Sequence, residues 1–205
     1  MAMTDADKDI NEILYFWFGE GRTTREVCAE KNSLWWSKDE EVDAEIRARF
    51  ADTTAGVYNG VLDRWQENSE GMLASIIALD QFPRNMFRDT AKSFAFDPRA
   101  LEFAHWAVAQ NMDSRLTPVR RVFVYMPFEH SEDIKDQDLC VNLFLQLLDE
   151  APTEDRQQFA DWLDFAERHR EIIRRFGRFP HRNEILERPS TAEEREFLTR
   201  PGSSF

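Results

Sequence analysis

Apolar residues recur along this 205-residue chain at spacings of three and four, the period of one helix face. Ile10, Ile13, Leu14 and Trp17 share such a face, and Gly19 ends the run. Ser37 with Glu40 reads as a capping box opening a helix through Phe50. Leu73, Ile76, Ile77 and Asp80 line one face of the next clear helix. Asp97-Pro98 reads as a cap followed by proline at the first helical position, opening a helix to Gln110. Thr117-Pro118 repeats the device. Its helix is expected to stop near Tyr125, because Pro127 lacks an N–H and its ring crowds the preceding turn. Ser131 is expected to cap a long helix to Asp149, and Thr153 to start another that Gly177 ends. Ser190 with Glu193, or Thr191 with Glu194, caps the last. No segment shows strand-like alternation. The expectation is an all-α fold: one compact multi-helical domain over residues 1–205, with about eight to ten helices.

Composition agrees with a packed core under a polar surface. Hydrophobic residues are 42% and charged residues 32%, with 17 Phe and 6 Trp, which excludes general disorder. Trp35, Trp36 and residues 15–18 read as core. The net charge of −13 repels nucleic acid and anionic membranes, so neither is an expected partner and any anion site must be local. The acidic start, residues 1–9, carries no basic-then-apolar signal, and no apolar run approaches the ~18 residues of a spanning helix. Cys28 and Cys140 stand far apart in no pair motif, which fits reduced thiols and a cytoplasmic location.

Candidate chemistry gathers at three proline-containing motifs. In the first, residues 79–88, Asp80 lies on the core-facing stripe, where a buried carboxylate must find a cation, a helix end or a ligand. Arg84, Arg121 and Arg178 are the expected partners, and Arg84 and Asn85 are candidate ligand contacts. In the second, residues 124–133, Glu129 and His130 are placed on a short corner between Pro127 and Ser131, as candidate acid and base, with Tyr125 beside them. The third, residues 168–182, holds six Arg, two His and one acid. Some of these Arg are expected to pair with neighbouring surface acids. Arg178 and Arg182 flank Phe179-Pro180, with His181 a candidate acid or base and Asn183 a candidate contact. Phe159, Trp162, Ala166, His169, Ile173 and Phe176 form an apolar stripe, so His169 is either a satisfied core residue or a site residue. Phe82-Pro83-Arg84-Asn85 is echoed by Phe179-Pro180-His181-Arg182-Asn183. No pattern for a metal site, a phosphate loop or a nucleophile elbow is present, so no metal or cofactor is expected.

At these motifs the chain resembles the domain-of-unknown-function family 924. The resemblance rests on Asp-Gln-Phe-Pro-Arg-Asn from Asp80, Pro-Phe-Glu-His-Ser-Glu from Pro127 and Arg-Phe-Pro-His-Arg-Asn from Arg178. It extends from Ile13 through Gln137 and the 159–183 region to the ending Pro-Gly-Ser-Ser-Phe. It implies tetratricopeptide-like stacked helical hairpins and no particular activity. Glu187 departs from the pattern, because members carry Gly between Leu and Arg there.

Two functions follow from the residues. In one, Arg84, Arg178 and Arg182 bind a small anionic molecule, with Asp80, Glu129, His130 and His181 for orientation or proton transfer. In the other, a helical concave groove binds a peptide, so that a protein is the partner. Convergence of the three motifs on one cavity favours the first.

Overall fold

The computed structural model describes residues 5–203; residues 1–4, and Ser204 and Phe205 of the family-like ending, lie outside the described residues. Ten α-helical segments follow in order: α1 (Asp5–Phe18), α2 (Thr24–Trp36), α3 (Glu40–Tyr58), α4 (Ser69–Ile76), α5 (Phe82–Met86), α6 (Asp97–Ala109), α7 (Pro118–His130), α8 (Ile134–Glu150), α9 (Arg156–Phe176) and α10 (Ala192–Leu198). No strand occurs among the described residues, so the fold is all-α.

Helix starts depart from the sequence expectation in a consistent way. Ser37 ends α2, its N–H bonding to Ser33, and Asp39 caps α3 with a carboxylate that accepts from the Glu41 and Val42 amides. Asp133, not Ser131, caps α8, and Asp155, not Thr153, precedes α9. An aspartate caps as well as serine and adds charge complementary to the helix dipole. The start of α2 was missed, although Thr23 and Glu26 form a complete capping box. At α6, Phe96 holds the cap position and Asp97 makes no cap bond; its carboxylate meets two arginines instead. Thr191 with Glu194 is the box that opens α10.

Prolines also behave differently from expectation. Helix α7 does not stop near Tyr125 but runs through Pro127 to His130. One hydrogen bond is lost at the proline, and tertiary contacts hold the last turn. The Gln137 amide of α8 donates to the carbonyls of Phe128, Glu129 and Ser131 at 3.2, 2.7 and 2.8 Å. Between α4 and α5 the chain does not break at Pro83 but widens into a π-helical turn, Ile77–Gln81. A proline ring collides with the carbonyl four residues back, and a π turn moves that carbonyl aside.

One large apolar cluster joins Trp17 and Phe18 of α1 to Phe82, Phe123, Phe159 and Trp162. A smaller one, Ile172, Ile173 and Phe179 with Phe176 and Phe197, sits beneath α10. Phe123 meets Trp17 and Phe18 edge-on at 5.7 and 5.3 Å. Tyr15 and Trp36 are not core: they are 58% and 49% exposed, because a 100° step per residue turns them away from Trp17 and Trp35. Among the described residues, no helix is long and apolar enough to cross a membrane.

Candidate functional site

The π turn is where the first site residue is set. Asp80 is fully buried and accepts hydrogen bonds from Arg84 Nη2 (3.3 Å) and the Gln81 amide. His130, at the end of α7, places Nδ1 2.7 Å from Asp80 Oδ1. Burial alone would raise the Asp80 carboxyl, but the neighbouring His130 and Arg84 outweigh it and hold Asp80 low, at about 2. Burial and Arg84 lower the His130 imidazole against the pull of Asp80. A carboxylate on Nδ1 fixes the tautomer with the proton there, which leaves Nε2 as an acceptor.

Behind this pair lies a second buried layer. Glu129 is pushed up to about 8, first by burial and then by the charge of Asp80, so at neutral pH it is largely a neutral acid. His169 of α9 approaches it, with Nδ1 3.4 Å from Glu129 Oε1 and 2.8 Å from the Phe165 carbonyl. Burial lowers His169 to about 3, and burial with Arg182 lowers His181 to about 4.

The third layer is cationic, and it explains the sequence echo. Arg84 and Arg182, each from a Phe-Pro motif, converge on one acid and one ring. Arg84 Nη2 lies 3.2 Å from Asp97 Oδ2, and Arg182 Nη1 lies 3.6 Å from the same oxygen. Their guanidinium carbons sit 5.6 and 4.7 Å from the Phe94 ring. Arg84 adds the Ser93 carbonyl at 3.4 Å, so two acids and a carbonyl meet its Nη groups, while its Nε is buried with no hydrogen-bond partner. Arg182 is 7% exposed and its Nε is likewise buried without a partner, but among the described residues its nearest acid lies at 3.6 Å, beyond hydrogen-bond distance. The Phe179 ring also lies against it, at 4.5 Å. Burial, and then Arg84, lower its guanidinium to about 10.

His130 and Arg182 open onto one surface cavity of about 390 Å³, which Phe94, Asp97, Pro127 and Leu186 also line. Asp80, Arg84 and Glu129 stand behind that wall.

Other candidates lie elsewhere. Arg178 binds Glu194 with two bonds (2.7 and 2.9 Å) and the Pro189 carbonyl, which anchors α10. Asn85 and Arg88 clamp Asp43 of α3. Tyr125 pairs with Asp113 and Arg121, and Asn183 with Ser190 and Arg188. The surface-pair reading of the arginine run holds for the others: Arg168 meets Asp164, Arg170 and Arg174 meet Asp138, and Arg175 meets Glu193. Sequence reasoning passed over Asp97 and Phe94, because an acid opening a helix and a phenylalanine in an aromatic-rich chain carry no distinguishing pattern. Glu132 holds Arg188 at 2.7 and 3.0 Å and accepts a hydrogen bond from the Phe179 backbone N–H.

These features define an all-α protein with a buried carboxylate, imidazole and guanidinium cluster behind a surface cavity. The chain belongs to the bacterial protein family of unknown function DUF924, whose model matches residues 13–202. Its fold is similar to the structure of a protein of unknown function from Agrobacterium tumefaciens, at 38% identity and a TM-score of 0.79, covering 95% of this chain and 98% of that one. No curated protein matches the chain with significance.

Proposed function

We propose that the protein binds a small anionic molecule in the 390 Å³ cavity, with Arg182 as the anion receptor and His130 as the group that exchanges a proton with it. One observation carries this reading: a guanidinium buried to 7% exposure on the cavity wall, its one ion-pair partner among the described residues lying 3.6 Å away. Nearly all buried cations in folded proteins are paired and hydrogen-bonded, because an unmet charge is costly. An anion in the cavity would pair with this charge. The Asp80–His130 pair supports a role in proton transfer, since a neutral imidazole with a fixed tautomer is a base at neutral pH. The peptide-groove alternative receives less support, because the charged motifs gather behind one small cavity instead of spreading along a face.

The test is a thermal-shift screen of anionic metabolites on the wild type and on Arg182→Met. A ligand at about 100 times its Kd stabilises by about 2.7 kcal/mol, which a melting curve resolves. Saturable stabilisation that Arg182→Met abolishes supports the reading. Equal shifts in both proteins, or none in either, overturn it.

A further inference from the structure

We infer that the ligand class is a monocarboxylate with an apolar body, its carboxylate docked edge-on against Arg182 and its body against the apolar cavity wall. This rests on the anion-pocket reading and narrows it. Four observations select the class.

First, Arg182 is a planar fork packed against two rings. Its guanidinium carbon lies 4.7 Å from the Phe94 ring and 4.5 Å from the Phe179 ring, and its N–H groups point outward within its own plane. A carboxylate is the planar partner that fits such an edge with two parallel bonds.

Second, Arg182 is the one arginine or lysine among the described residues that line the cavity. Arg84 already serves Asp80, Asp97 and the Ser93 carbonyl. The next guanidinium, Arg188, is held by Glu132. A phosphate monoester carries close to two negative charges at neutral pH, and a lone arginine does not balance it.

Third, the wall itself bears carboxylates. Asp97 and Glu132 both line the cavity. Two negative charges beside the docking position raise the electrostatic cost of a dianion more than that of a monoanion.

Fourth, the rest of the lining is apolar. Phe94, Pro98, Leu101, Pro127 and Leu186 face the same space, and its 390 Å³ lies near the small end of ligand sites. That lining suits a short aliphatic or aromatic body.

The experiment is isothermal titration of the full chain with five probes: hexanoate, 3-phenylpropionate, 3-phenylpropionamide, inorganic phosphate and phenyl phosphate. The same titrations are run on Arg182→Lys, which keeps the charge and loses the fork, and on Ala95→Trp. Ala95 is exposed at the cavity mouth, so tryptophan there blocks the cavity without entering the core. Circular dichroism confirms that each variant is folded. The expected result is saturable binding of both carboxylates, at least tenfold weaker binding of the amide and of both phosphates, and at least tenfold losses in each variant. If either phosphate binds more tightly than the carboxylates, the carboxylate assignment is overturned while the anion pocket stands. If no probe binds, both fall. If the carboxylates bind equally well to Ala95→Trp, they bind outside this cavity and the inference fails. If Arg182→Lys does not fold, the Ala95→Trp result and the amide comparison decide alone.

Discussion

Three side chains meet at the Asp80 carboxylate: His130, Arg84 and Gln81. Its removal leaves a buried guanidinium short of an acid and an imidazole without its orienting group. Asp80→Ala is expected to cost about 3–5 kcal/mol, the penalty for breaking a buried pair from one side. Urea denaturation measures this, and a loss below about 1 kcal/mol would show that Asp80 behaves like an exposed pair member. Glu187 is the opposite case. It adopts φ 54°, the left-handed region that favours glycine, at the position where the family resemblance implies glycine. Relief of that strain makes Glu187→Gly stabilising by about 1 kcal/mol; an unchanged or lowered denaturation midpoint would mean that the Glu187 side chain compensates for its backbone. The departure was legible in the sequence, and its consequence turns out to be a strained residue in an otherwise family-like turn.

Element by element, prolines that read as breaks are absorbed by tertiary structure. Helix α7 keeps its last turn because Gln137 satisfies three of its terminal carbonyls. Gln137→Leu removes those donors and is expected to destabilise by about 1–3 kcal/mol. Hydrogen exchange should show the loss concentrated at the end of α7, and uniform loss across the molecule would argue against a local clamp. The C-terminal element is governed by Arg178, which sequence reading placed in the site. Its bonds run to Glu194 and Pro189, so Arg178→Ala should release α10 while leaving ligand affinity at the cavity unchanged. Exchange protection of the α10 amides, measured beside ligand titration, separates the two roles: weakened binding with α10 still protected would return Arg178 to the site.

At the scale of the whole molecule, the buried ionisable groups pull stability in opposite pH directions. His169 and His181 have folded values near 3 and 4, below the ordinary 6.5. The unfolded chain therefore binds more protons below pH 6.5, and stability falls as pH drops through that range. Glu129 is raised from 4.5 to about 8. Its contribution is complete below 4.5 and is lost as pH rises towards 8. The wild type is thus expected to lose stability from pH 6.5 to 8 with a slope approaching about 1.4 kcal/mol per unit, and Glu129→Gln to flatten that limb. Urea midpoints at pH 5, 6.5 and 8 check this; a wild type equally stable at 6.5 and 8 would mean that Glu129 is already ionised at neutral pH.

Helical periodicity, glycine stops and capping residues determined the all-α class, because they act over one or two turns and each is written locally. The burial of Asp80 was legible for the same reason, through its register with Leu73 and Ile76. Which of Ser37 or Asp39 takes a cap is a contest between neighbours of similar strength, so the boundary was not legible. The site was legible as three motifs and not as a site. Two Phe-Pro sequences about a hundred residues apart bring Arg84 and Arg182 onto Asp97, and no local rule states that meeting. Nor does any local rule separate Arg182, left without a hydrogen-bonded acid, from Arg178 four residues earlier, which is fully engaged by Glu194. Spacing sets which face of a helix a side chain takes; only the packing of one helix on another decides which charges are met by a partner and which are left facing a cavity.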